Sequence, residues 1–342
     1  MKKQIAILLA TVFAAGSVFG CTGGAETETT GSKAEQTTVA DTQEENKMVL
    51  AGHMAEMPNY TLGSSATTDE IRAAAVRAMS DELSIAWYSQ KGFDYEKSGV
   101  AAGKTFTFQA MTPFAGLPYT NGSSGLFHWL RFYDLKSGEL YPFDTEMLAD
   151  TLGNSCYSSV TWGWASVAAD SIRWKTTHEM TPQNGAIIVG DYDIGGVGNS
   201  YKDHPTPDII RENGDQRMFE AYALVLPADA LLYIPAGDGN HIRMAEEKAY
   251  TVRKEDGTID GDESYIVYQD QWTGHLSGDG VYFNENEAGQ KLHFSGHKHT
   301  KISFSTLLRE GYIPITMKVF TGEEPYKVPE VTANAKEGMT IE

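Results

Sequence analysis

The chain has 342 residues, with 27 basic and 46 acidic side chains and a formal net charge of −19. Such a surplus of acid argues against nucleic acid as a partner and against an electrostatic membrane patch. The length suffices for one large domain, no repeat recurs at periods of about 20 to 50 residues, and only two cysteines occur, Cys21 and Cys156.

At the N-terminus, Lys2 and Lys3 precede an apolar run of 15 residues, "IAILLATVFAAGSVF". The run is too short for a membrane span and reads as a signal peptide. It ends in "VFGC", and a small residue directly before a cysteine resembles a bacterial lipoprotein box. That resemblance implies cleavage before Cys21, lipidation of Cys21, and an extracytoplasmic protein anchored to the membrane by lipid. Loss of the two leader lysines takes the net charge from −19 to −21. Residues 22–60 follow as an acidic segment rich in Thr, Glu, Gly and Ser. It has too little apolar surface to offset the entropy of ordering and is expected to be a disordered tether. A single domain is expected over 61–330, with a C-terminal tail at 331–342. Once Cys21 is lipidated, Cys156 has no partner within the chain. It is then either a reactive thiol or a small buried hydrophobe.

In the body, "ATTDEIRAAAVRAMSDELSIAWYSQ" opens on cap residues and keeps Ile71, Val76, Met79, Leu83 and Trp87 near helical spacing, which predicts a helix of about five turns. "KTFTFQAM" alternates as a strand, "AGLPYTNGSSG" is a turn region, and "FHWLRFYDLKSGELYPF" is ambiguous. In "LGNSCYSSVTWGWASVAAD", Asn154 and Ser155 are good N-caps. Val160, Trp164, Val167, Ala168 and Ile172 make one apolar face. Cys156 therefore falls in the first turn of a largely buried helix, where the backbone N–H groups and the helix dipole favour a thiolate. Two short helices are expected at "TPDIIREN" and "DQRMFEAYALV". The chain then turns mostly β, through "ALLYIPAG", "NHIRMAE", "AYTVRK", "SYIVYQDQW", "VYFNE", "KISFS" and "IPITMKVF". Helices first and an antiparallel-looking sheet second predict an α+β fold.

A thiolate nucleophile needs a base and a group that orients it. Of nine histidines, His241 has the best surroundings, at the start of a strand after the turn "PAGDGN". The strand "YIVYQDQ" offers the orienter. Period two puts Gln269 and Gln271 on one face and Asp270 on the other. Pattern alone does not say which face meets His241.

The order "GLPY", then a cysteine opening a helix, then "LPAD" leading into a strand, then a histidine at the next strand and a polar residue beyond, resembles the NlpC-type cysteine peptidases. These are papain-like enzymes that cut amide bonds in cell-wall peptides. Pro118 and Tyr119 match the "PY" turn before the nucleophile. Leu226, Pro227 and Asp229 resemble the turn before the base strand, with Ala228 where that family carries glycine. The resemblance implies a papain-like core in which the Cys-bearing helix packs on an antiparallel sheet, with an N-terminal helix and insertions. It also implies Cys156 as nucleophile, His241 as base, Asp270 as the preferred orienter, and Tyr119 lining the site. Trp162, on the nucleophile's helix, is a second candidate for substrate contact. The chain departs from the family in carrying Ser155, Tyr157 and Ser158 around the cysteine rather than Asp, Ser and Gly.

The expected partner is then cell-wall peptide or another amide substrate, with no metal and no cofactor. The rival is a surface or solute-binding lipoprotein without catalysis on the same fold. Other motifs read as structure. His297 and His299 in "HFSGHKH" lack a companion thiolate or carboxylate and read as a solvated strand face. "DGTIDGDE" lacks calcium-loop spacing, and "GGVG" does not open a helix as a phosphate loop does.

Overall fold

The computed structural model describes residues 48–96, 105–119, 125–141, 153–169, 172, 174–272, 283–285, 291–294 and 296–329. The leader, Cys21, and the expected tail at 331–342 lie outside the described residues. In chain order the elements are α1 (Thr68–Ser84), β1 (Ala86–Ser89), β2 (Phe93–Glu96), β3 (Thr105–Phe108), β4 (Phe114–Ala115), α2 (Gly125–Leu130), β5 (Glu139–Leu140) and α3 (Cys156–Ala168). Then follow β6 (Ala186–Ile188), α4 (Thr206–Asn213), α5 (Asp215–Ala223), β7 (Ala230–Tyr233), β8 (His241–Ala245) and β9 (Tyr265–Gln271). The last are β10 (Phe283–Glu285), β11 (Lys291–Phe294), β12 (Gly296–Ser303), α6 (Phe304–Glu310) and β13 (Ile313–Met317).

This is an α+β architecture. Six strands form a fully antiparallel sheet in the order β12-β9-β8-β7-β13-β6. A second sheet, β10-β11-β4-β1-β5, is mixed, with parallel pairs β1–β5 and β4–β11. Helices α1 and α3 cover one face of the antiparallel sheet. Gln269 of β9 donates to the Val76 carbonyl of α1 (2.9 Å). A Cβ on Gly163 of α3 would lie 2.9 Å from both the Ala75 carbonyl oxygen and the Met244 side chain, so glycine is what lets α3 approach α1 and β8 so closely.

The N-terminal boundary differs from expectation. Within the segment expected to be a tether, Leu50 and Tyr60 are each 1% exposed. The Leu50 amide bonds the Ser137 carbonyl (2.9 Å), and the Tyr60 hydroxyl donates to Asp81 (2.7 Å). Leu50, Met54 and Tyr60 bury too much apolar surface for residues 48–60 to belong to a tether.

Three local readings are corrected as well. Trp87 belongs to β1, not to the first helix, because Ile85 leaves helical geometry and caps it. "AYTVRK" makes isolated bridges, Tyr250 to Tyr265 and Arg253 to Ile259, rather than a strand. After β12, Ser303 caps a helix over Phe304–Glu310 that alternation had read as the end of a strand.

The apolar interior has two parts. One cluster lies between the helices and the antiparallel sheet and includes Val160, Trp164, Val167, Met244 and Ile242. The other is aromatic and gathers Trp87, Phe108, Phe114, Phe127, Trp129 and Trp162. Helix α3 contributes to both, so it is buried nearly all round rather than along the single face its periodicity suggests.

Candidate active site

Ser155 builds the position of Cys156. Its Oγ accepts from the Ser158 amide (3.2 Å), and Ser158 Oγ accepts from the Ser155 amide (2.7 Å). This reciprocal cap starts α3 at Cys156 and satisfies two backbone donors, leaving the first-turn dipole aimed at the thiol. The "PY" turn is tied to the same point. The Asn154 amide bonds the Pro118 carbonyl (3.1 Å), and Tyr119 and Asn154 form a parallel bridge. From the other side, Gln271 Nε2 donates to the Leu117 carbonyl (2.6 Å).

The open question about β9 is thereby answered. Gln269 and Gln271 point under the helices and bond backbone carbonyls there, while Asp270 takes the other face. His241 begins β8, and its Nε2 meets Asp270 Oδ2 at 2.7 Å. With Nε2 committed to the carboxylate, Nδ1 is the ring nitrogen left for the sulfur of Cys156.

The structure thus brings together Cys156, His241, Asp270 and Tyr119. It does not bring Trp162 among them. Trp162 is 2% exposed and packs edge-on to Phe127 (centroids 5.7 Å), on the side of α3 turned to the aromatic cluster. Its expected substrate contact is corrected to a packing role. The turn before β7 is built around Ala228. Ala228 has φ +69°, in the left-handed region that favours glycine. Asp229 accepts from the Leu226 amide (2.8 Å) and pairs with the buried Arg72 (2.8 Å).

The electrostatics run in one direction. Burial raises the Cys156 thiol, but the charge of His241, a hydrogen bond from its ring and the Ile242 backbone N–H outweigh burial, and the thiol lies below its usual range. Burial likewise disfavours the imidazolium. The Cys156 thiolate and the Asp270 hydrogen bond overcome it and lift His241 to about 9. Burial raises Asp270 too, yet its bonds to His241 and His297 and their charges hold it well below the usual carboxylate range. The favoured state is a thiolate–imidazolium pair braced by a buried carboxylate. Burial, then the charge of Cys156 and a hydrogen bond with its sulfur, keep Tyr119 protonated far above neutral pH, while its oxygen accepts the Cys156 backbone N–H.

Three participants were not singled out from the sequence. His297, read as solvated, places Nδ1 2.6 Å from Asp270 Oδ1. Arg243 Nε reaches Asp270 Oδ2 at 3.3 Å, its guanidinium lying over the rings of Tyr268 (4.6 Å) and Tyr312 (4.4 Å). Glu82 of α1 is fully buried beneath α3 and accepts from the Ser159 hydroxyl. The alternation of β8 held one signal for Arg243, which is two residues on from His241 and shares its face. His297 and Glu82 come from distant elements and had none.

Beside the site, Asn240 Nδ2 bonds Thr177 Oγ1 (2.6 Å). Next to it opens a cavity of about 710 Å³ lined by Thr176, His178, Glu179, Asn184, Asn199 and Lys202, among others. Among the described residues no group of three or more His, Cys, Asp or Glu side chains is arranged to hold a metal ion. No helix there is long and apolar enough to cross a membrane. Compared with protein families, curated proteins and solved structures, the chain matches none.

Proposed function

We propose that the protein is a cysteine hydrolase of the NlpC type, with a papain-like core, that cleaves an amide bond in cell-wall peptide while tethered outside the cytoplasm through lipidated Cys21. The observation that carries this reading is the constellation of Cys156 at a capped helix N-terminus, His241 beside its sulfur, and Asp270 2.7 Å from the far ring nitrogen. A buried thiol with only a packing role needs no imidazole in reach and no carboxylate behind it.

In this reading the Cys156 thiolate attacks the carbonyl carbon. The oxygen takes up charge at the Cys156 backbone N–H, replacing the Tyr119 oxygen that accepts it in the free site, with the Tyr119 hydroxyl next to it as a second donor. The C–N bond breaks as His241 delivers its proton from Nδ1 to the leaving amine. Water then attacks the thioester, His241 accepts its proton, and the thiolate leaves with the acid product. Asp270 holds the imidazole in the tautomer and orientation these transfers need. The assembled site speaks against the rival of a non-catalytic binding lipoprotein, which has no use for a lowered thiol pKa.

The test is incubation of the full-length protein and of Cys156→Ala with muropeptides, followed by mass spectrometry. New free amines formed by the wild type and not by the variant support the reading. Equal products from both, or none from either across a panel of peptides and acyl amides, sink it.

A further inference from the structure

The Asp270 carboxylate is 1% exposed and has two oxygens to satisfy. His241 occupies Oδ2. The other, Oδ1, is met by His297 of β12 at 2.6 Å. We propose that His297 is a positioning residue of this site, fixing through Asp270 the imidazole that serves Cys156; the proposal rests on the hydrolase reading above.

Three independent features carry it. First, the register of β9 against β12 sets His297 directly opposite Asp270, where cross-strand side chains share a face. Second, β12 carries a bulge between His297 and Thr300, with His299 at φ +53°. The extra residue breaks the alternation just past His297. It sends Lys298 to Ser84 Oγ and the His299 amide to Glu246 (3.0 Å), so His297 alone of the three turns to the carboxylate. Third, the ring is held in place, stacked on Trp272 (centroids 5.0 Å, 30°) and edge-on to Tyr268 (6.4 Å).

An ionised carboxylate only accepts, so the nitrogen that meets it, Nδ1 of His297, carries hydrogen. Two donors on separate oxygens fix the plane of the carboxylate. With one donor it is free to turn about its last torsion, and His241 turns with it. The other groups around Asp270 do not duplicate this. Arg243 shares Oδ2 with His241 at the longer distance of 3.3 Å and is also engaged by Glu310 (3.4 Å), so it supplies charge rather than orientation. Tyr268 and Tyr312 bracket the guanidinium, Cys156 faces His241, and Lys298 and His299 point elsewhere.

The experiment follows alkylation of Cys156 by iodoacetamide against pH in the full-length chain, read by mass spectrometry on the Cys156 peptide. Wild type, His297→Ala, His297→Asn and His241→Ala are compared. The amide nitrogen of asparagine falls where Nδ1 of histidine lies. The expected result is an inflection about one unit higher in His297→Ala, that is, about tenfold slower alkylation below the inflection, with His297→Asn returning toward wild type. Coincident profiles for His297→Ala and wild type, with His241→Ala displaced, overturn the proposal and leave the hydrolase reading standing. Ordinary thiol profiles in both wild type and His241→Ala overturn both. A measurement on the wild type covers the case in which His297→Ala does not fold. Long-range ¹H–¹⁵N spectra of His297 are expected to show hydrogen on Nδ1, and an Nε2–H tautomer overturns the proposal.

Discussion

Two buried carboxylates flank the site, and they differ in charge for a reason that can be counted. Asp270 and Glu82 are both removed from water. Asp270 receives His241, His297 and Arg243, and burial is overcome so that it stays ionised far below neutral pH. Glu82 receives the Ser159 hydroxyl. Asn154 lies near and helps a little, but Glu82 Oε2 makes no hydrogen bond among the described residues. Burial therefore dominates and pushes Glu82 up to about 7. The lesson is that burial alone fixes neither charge nor role. The number of donors, and whether they are charged, decides whether a buried acid stays ionised beside an imidazole or keeps its proton up to about neutral pH behind a helix.

The comparison breaks most visibly at Asp270. Asp270→Ala leaves His241, His297 and Arg243 facing one another without an acceptor. Urea unfolding is expected to show a loss of about 3–5 kcal/mol, with loss of fast Cys156 alkylation below neutral pH. An unchanged unfolding midpoint would show that the cluster is not held by its carboxylate.

The same pair has a pH window whose two edges follow from the directions of the shifts. Asp270 is depressed, so its contribution is present above its unfolded value of about 3.9 and is lost as pH falls through its lower folded value. His241 is raised, so its contribution is complete below about 6.5 and is lost as pH rises through about 9. The stability gap between wild type and Asp270→Asn should be widest between about pH 4 and 6.5 and should narrow on both sides. A gap that widens toward pH 10 would contradict the raised His241.

Glu82 sharpens the contrast with the opposite remedy. Its folded value of about 7 exceeds the ordinary 4.5, so wild type loses stability as pH rises through that interval. Replacement by glutamine removes the loss. Relative to its effect at pH 4, Glu82→Gln should gain up to about 3 kcal/mol by pH 8, read as the shift in urea midpoint. A pH-independent difference would mean that Glu82 does not titrate there. The smallest effect is expected from Ser159→Ala. It takes away the hydroxyl donor, costs about 1 kcal/mol, and moves the Glu82 titration further upward. If that titration stays in place, the hydroxyl is not what restrains it.

Much of this site was legible because its parts obey local rules. A serine cap followed by an apolar run put Cys156 in a first turn. Glycines before His241 put it at the mouth of a strand, and period two split Gln269 and Gln271 from Asp270. The misreadings of Trp162, His297 and residues 48–60 share one cause, since each concerns a residue whose surroundings come from far along the chain. Trp162 was read by proximity to Cys156, but it lies on the part of α3 that the aromatic cluster covers. His297 was read as solvated because nothing near it in sequence could pair with it, and its partner lies 27 residues earlier, on β9. Leu50 and Tyr60 were swept into a polar stretch by composition. They pack into the two apolar clusters and hydrogen-bond Ser137 and Asp81, farther along the chain.

What the sequence determined by itself was therefore the capped helix of Cys156, the strands of His241 and Asp270, and the order in which reactive groups occur along them. Caps, strand alternation and turn chemistry act over a few residues. Only the tertiary structure decided which face of β9 looks toward His241 and which side chains were free for the carboxylate. It also decided which of two buried acids was left almost alone. Those outcomes depend on strand pairing and helix docking between segments separated by tens to hundreds of residues, such as Gln271 against Leu117 and Glu82 against Ser159. The free energy of a buried charge depends on all of its neighbours at once, and no local pattern contains that information.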